Sequence, residues 1–147
     1  MGCGSIGKIM RIDLTHGAVS IEMIADDIYR LYPGGKALAT WILLRELSPG
    51  TDPLGPANIL VLANGVLTGA PFSTATRFTA AARSPLTGAY GESEAGGFWG
   101  PELSLGHLRM LLHKGGCEIE RAGEVLLDVA LVSLPRPTPP SCPGGCP

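Results

Sequence analysis

The chain has 147 residues, enough for one domain and too few for two of ordinary size. Hydrophobic residues make up 45% of it and charged ones only 16%, a globular balance that excludes wholesale disorder. A net charge of −2 argues against a nucleic-acid partner held by phosphate neutralisation.

Twenty-one glycines and 13 prolines punctuate the sequence, so many turns and short elements are expected. Residues 7–14 (GKIMRIDL) alternate apolar and polar side chains, the period of a half-buried strand. Thr15-His16-Gly17 is a turn and residues 18–24 (AVSIEMI) resume the alternation, predicting a β-hairpin. Asp26 and Asp27 sit where caps and first-turn acids belong, ahead of a short helix that Pro33-Gly34-Gly35 ends. Residues 36–47 place Leu38, Trp41, Ile42 and Arg45 at helical spacing, so a buried helix is predicted there, stopped by Ser48-Pro49-Gly50.

Residues 51–58 form a loop stiffened by two prolines. Residues 59–63 (ILVLA) are a short apolar run bounded by turn signals, which reads as a strand covered on both faces. Residues 77–83 (RFTAAAR) read as another strand, and residues 91–100 as a glycine-rich loop entering a short helix at Pro101-Glu102-Leu103. His107 and His113 share a helical stretch, at a spacing unsuited to one metal. Residues 118–132 suggest a hairpin around Ala122-Gly123, and the run from 135 to 147 is too rich in proline to build a core.

No apolar run reaches the ~18–20 residues of a membrane helix, and the first residues lack the basic and apolar regions of a signal peptide. A cytoplasmic protein without membrane contact is expected. Cys3, Cys117, Cys142 and Cys146 include no CxxC pair, and a lone CxxxC in a Pro-Gly-Gly context is an incidental tail feature. His16 reads as a solvated turn residue.

Two glycine-rich segments, 65–71 and 88–100, flank the strand that begins with Arg77. Glycine lets backbone N–H groups approach an anion closely, and guanidinium clamps phosphate in a bidentate fork. Neither segment carries a Walker or dinucleotide fingerprint, so on glycine content alone tight turns are the better reading.

The order of blocks is more specific. Residues 7–15 (GKIMRIDLT), Gly34-Gly35, residues 49–56 (PGTDPLGP), Leu67-Thr-Gly, Arg77, residues 83–88 (RSPLTG) and residues 95–103 (AGGFWGPEL) follow one another over roughly 6–103. In this the chain resembles the N-terminal domain of the tungsten-containing aldehyde ferredoxin oxidoreductases. The resemblance implies an α+β, β-rich domain of two small sheets with pseudo-two-fold symmetry and short helices, and the repeated Leu-Thr-Gly fits that symmetry. Residues 1–105 would be the cofactor-cradling domain, 106–134 a diverged or out-of-frame continuation, and 135–147 a disordered tail.

The family oxidises aldehydes to carboxylic acids, passing electrons through a tungsten bis-pterin with a bridging magnesium to a [4Fe–4S] cluster and ferredoxin. The resemblance implies that Arg77 touches a pterin, and that Glu94, Ala95 and Gly96 form the second contact, near the pterin phosphates. No residue here is implied to be catalytic or a metal ligand. Trp99 is a candidate to pack beneath the cofactor.

Some positions depart from the family pattern. Glu94 replaces the usual Asn and would face an anionic cofactor; Val66 replaces a proline; Lys36 replaces an arginine. The cluster cysteines are absent, so ferredoxin, the C-terminal domains and the family's homodimeric partner are implied for a full-length enzyme, and the chain alone is expected to be inactive. The alternatives are a non-enzymatic phosphate- or partner-binding module that keeps the fold, or a frameshifted inactive product.

Overall fold

The computed structural model describes residues 7–105 and 110–114. Strands β1 (Lys8–Asp13) and β2 (Ala18–Met23) form the opening antiparallel hairpin, with Gly17 taking the left-handed φ of 64° that its turn needs. Helix α1 (Asp26–Leu31) follows, then α2 (Gly35–Glu46). Strands β3 (Ile59–Asn64), β4 (Phe78–Arg83) and β5 (Tyr90–Ala95) form an antiparallel meander, before α3 (Trp99–Leu105) and β6 (Met110–Lys114).

The strands pair in the order β2-β1-β6-β3-β4-β5. The two antiparallel groups, β1–β2 and β3–β4–β5, are the two small sheets of the expected α+β fold. β6 joins them, running parallel to β1 and antiparallel to β3, so the hydrogen bonding is continuous across six strands. This strand lies beyond the boundary expected at residue 105. It also replaces the helical stretch expected to hold His113.

Two apolar layers fix the sheet. On one face α2 lies across β3 and β4, burying Leu38, Ala39, Ile42 and Leu43 against Ile9, Ile59, Val61, Ala63 and Ala81. Ile42 is fully buried, a contribution of about 1.5–3 kcal/mol. On the other face Met10, Ile12 and Leu62 pack with Phe78, Trp99 and Leu103. β3 is therefore covered on both sides, as its unbroken apolar run predicts. Arg11 anchors the end of α2 to the sheet through a bidentate pair with Glu46, at 2.9 and 2.7 Å.

Two local readings are corrected. The N-cap of α1 is Ala25, without a side-chain cap, and Asp26 and Asp27 lie inside the first turn, where they favour the positive end of the helix dipole. The first half of the glycine-rich segment 91–100 is strand: β5 is an edge strand whose Glu92, Ser93 and Glu94 are exposed and show no apolar alternation. The expected hairpin at 118–132, the tail at 135–147 and all four cysteines lie outside the described residues.

Candidate functional site

The antiparallel register of β4 and β5 sets Thr79 opposite Glu94 and Ala81 opposite Glu92. Alternation then puts both carboxylates on the α2 face of the sheet, two residues apart. Each finds a cation. Arg77, one residue before β4, donates from Nη1 to Glu94 Oε2 at 3.1 Å, and Lys36, at the start of α2, lies 3.6 Å from Glu92. Both pairs are open to solvent, with the Arg77 side chain 75% exposed, so neither contributes much to stability.

Backbone contacts around Arg77 are tighter. Thr68 Oγ1 donates to the Arg77 carbonyl at 2.6 Å, so the first Leu-Thr-Gly turn holds the main chain where β4 begins. Gly69 closes that turn at φ 86°. Thr74, a β-branched residue at φ 71°, is strained three residues ahead of Arg77. The second Leu-Thr-Gly turn has Gly88 at φ 66°, but Thr87 accepts from Ala89 instead of holding a distant strand. The two turns are alike in backbone and different in task.

Glycine is required where α2 meets the sheet. A Cβ on Gly34 would stand 2.5 Å from the Asn64 carbonyl oxygen, and Gly34 and Gly65 form a β-bridge. Ala95 ends β5 opposite Phe78, and Gly96 leaves Thr76 Oγ1 uncovered, 3.3 Å from where a Cβ would be. The result is a rim of the sheet where a guanidinium, a side-chain hydroxyl and bare backbone converge.

The structure thus brings together Arg77, Glu94, Ala95 and Gly96. It does not bring Trp99 to them: that ring packs on Phe78, with centroids 4.4 Å apart, on the opposite face of the sheet. His16 lies in the first turn, where Nδ1 is 2.8 Å from Asp13. Burial raises the pKa of the Tyr90 hydroxyl, opposed by a hydrogen bond with Thr40 and reinforced by one to Glu92. The Lys36–Glu92 pair escaped the sequence reading. The Glu-x-Glu spacing in residues 92–94 was its only signal, and it is legible only once β5 is known to be a strand. Among the described residues no three His, Cys, Asp or Glu side chains group as metal ligands, and no helix is long and apolar enough to cross a membrane.

The described residues thus form an α+β, β-rich domain whose candidate site is an open rim of the sheet. Residues 9–125 match the family model described as "Aldehyde ferredoxin oxidoreductase, N-terminal domain", and the chain belongs to that family. It is 33% identical over 115 residues to a tungsten-containing aldehyde ferredoxin oxidoreductase of Pyrococcus furiosus, covering 78% of this chain and 19% of that protein. It is 38% identical over 66 residues, 43% of this chain and 11% of the relative, to the WOR-like subunit of an aliphatic sulfonate oxidoreductase from the same organism. Among solved structures, the active-site complex BamBC of benzoyl coenzyme A reductase superposes with a TM-score of 0.74 at 30% identity, over 76% of this chain and 17% of that one. The chain thus spans about a fifth of the length of the curated relatives it matches.

Proposed function

We propose that this chain supplies the cofactor base of a cytoplasmic tungstopterin oxidoreductase that oxidises aldehydes to carboxylic acids with ferredoxin as acceptor. The observation that carries the reading is the convergence of Arg77, Glu94 and the glycine-flanked end of β5 at one rim of the sheet.

The residues present fit an anionic pterin in most respects. Arg77 is exposed and fixed at its backbone by Thr68, so it offers a planar fork on a rigid stem. Gly96 exposes backbone and the Thr76 hydroxyl, as close approach of a phosphate requires. Glu94 fits poorly as a free carboxylate, yet its pairing with Arg77 neutralises it, and it is a suitable oxygen ligand for a bridging magnesium. The tungsten centre would supply the two-electron chemistry when bound. This chain's residues bind and orient the pterin and set the charge beside it. The [4Fe–4S] ligands, the substrate pocket, the ferredoxin contact and the homodimer contact belong to the remainder of such an enzyme.

The test is the tungsten and pterin content of protein produced in a tungstate-supplied host together with the polypeptide that completes the enzyme. A charge-assisted hydrogen bond contributes about 1.5–3 kcal/mol, so Arg77→Ala should weaken cofactor retention roughly ten- to a hundredfold. Arg77→Lys should recover only part of it. Equal content in wild type and Arg77→Ala would favour the non-enzymatic module instead.

A further inference from the structure

The face of the sheet that carries Arg77 has a second opening. A groove of about 460 Å3 runs between the C-terminal half of α2 and the β4–β5 turn. Leu43, Leu44 and Leu47 form one wall, and Ala82 and Ala89 contribute to the other, with Arg83 also lining it. Alternation along β4 puts Arg83 on the same face as Ala81, beneath α2.

Arg83 carries one buried donor without a partner. Its Nε is shut off from solvent without a hydrogen-bond partner, and no carboxylate among the described residues pairs with it. A buried donor on a permanent charge is costly until an acceptor reaches it. The backbone beneath it is fixed. Asn58 accepts from the Arg83 N–H at 3.3 Å and donates to its carbonyl at 3.1 Å, and Ser84 N–H to Ala89 closes the turn at 2.8 Å. On the helix side the rim is apolar and exposed: Leu44 is 80% exposed.

We propose that this groove docks a segment of the polypeptide that completes the enzyme, with an Asp or Glu carboxylate on Arg83 and flanking aliphatic side chains along the leucine wall. The inference rests on the reading above, that the chain works within a larger oxidoreductase. Two observations select this occupant. The match covers only 19% of the curated relative, so an enzyme of that size has most of its chain outside this domain and available to dock on it. The groove asks for one negative charge set among apolar groups, which a carboxylate-bearing aliphatic segment supplies.

The experiment is a titration of the 15N-labelled 147-residue chain with N-acetyl-Leu-Glu-Leu-amide, followed by NMR at the Leu43, Leu44 and Ala89 amides and at Arg83 Nε–H. Saturable shifts are expected, with the Arg83 Nε–H signal moving most. Affinity should fall at least fivefold with the Leu-Gln-Leu peptide and in Arg83→Met. Leu44→Ser changes an exposed side chain, so it should weaken binding equally without threatening the fold. No saturable shift, or equal binding of the Glu and Gln peptides, overturns the proposal. Hexanoate binding tenfold tighter than the peptide also overturns it, in favour of a small-carboxylate pocket. Failure here leaves the Arg77 result standing, because cofactor content does not depend on the peptide titration.

Discussion

At the open end of the β4–β5 ladder, Arg77 Nη1 stands 3.1 Å from Glu94 Oε2, so the cation proposed to meet the cofactor already holds a carboxylate. An incoming anion must exchange with Glu94 or recruit it through a metal. An exposed pair of this kind is worth about 0.2–1 kcal/mol, so Glu94→Asn should raise pterin retention by roughly two- to fivefold and leave the denaturation midpoint almost unchanged. Pterin content per mole, measured beside a urea titration, checks both halves. Lower retention in Glu94→Asn would mean that Glu94 serves the magnesium instead of guarding Arg77.

Gly34 and Gly17 both have positive φ, at 72° and 64°, but Gly34, with ψ −172°, lies in a region open essentially to glycine alone and also faces a wall. Gly17→Ala meets no atom within 4 Å, so it should cost only the backbone term, about 1–2 kcal/mol. Gly34→Ala drives a methyl to 2.5 Å from the Asn64 carbonyl oxygen and adds an overpacking term to its backbone strain, for a total of about 2–6 kcal/mol. Urea midpoints of the two variants, with unchanged m-values, would give the extra cost at the α2 junction. Equal losses would show that α2 can slide away from Gly65.

Alternation made β1 and β2 legible, and turn signals bounded α2 and β3. The strands that escaped did so for physical reasons. β5 is a polar edge strand, in which Glu92 and Glu94 point to solvent and to cations on other elements, so no apolar period marks it. β6 owes its place to β1 and β3, whose pairing partners lie far away in sequence, and local pattern does not encode such pairing. The site divides similarly. Arg77 followed from the family likeness, but its bond to Glu94 and the hold of Thr68 on its carbonyl required the register. Trp99 went astray because its glycine-rich neighbours suggested a cofactor, while Phe78 supplied a core partner across the sheet.

Acid should reveal the first turn. Asp13 accepts from the Thr15 and His16 backbone N–H groups and pairs with the His16 ring; the ring contact is the largest of the effects lowering its pKa. A depressed folded-state pKa means that the unfolded chain takes up the proton first. The stabilisation is therefore present above the ordinary value of 3.8 and is lost as pH falls through the lower folded value. The carboxyl is exposed, so the effect is small. Urea midpoints of wild type and Asp13→Asn should converge below that window, with wild type more stable at neutral pH. A constant gap down to the acid limit would show that the turn does not depend on this charge.

Asn64 ties the end of β3 to α3. It is fully buried at the end of β3, and its Nδ2 donates to the Gly100 carbonyl at 2.8 Å and to Ser104 Oγ at 3.0 Å, pinning α3. Its Oδ1 is buried without a hydrogen-bond partner, 3.4 Å from where a Cβ on Gly100 would stand. Asn64→Ala removes a buried side-chain donor from the Gly100 carbonyl and Ser104 Oγ, which should cost about 1–3 kcal/mol. Trp99 belongs to α3 and stacks near Phe78, so the loosening should expose its ring. In a Trp41→Phe background, Asn64→Ala should shift the emission to the red and increase quenching by iodide. Asn64→Asp keeps the shape but loses the donor, so it should follow Asn64→Ala rather than wild type. If Asn64→Asp instead preserves both emission and stability, packing and not the amide donor holds α3 in place.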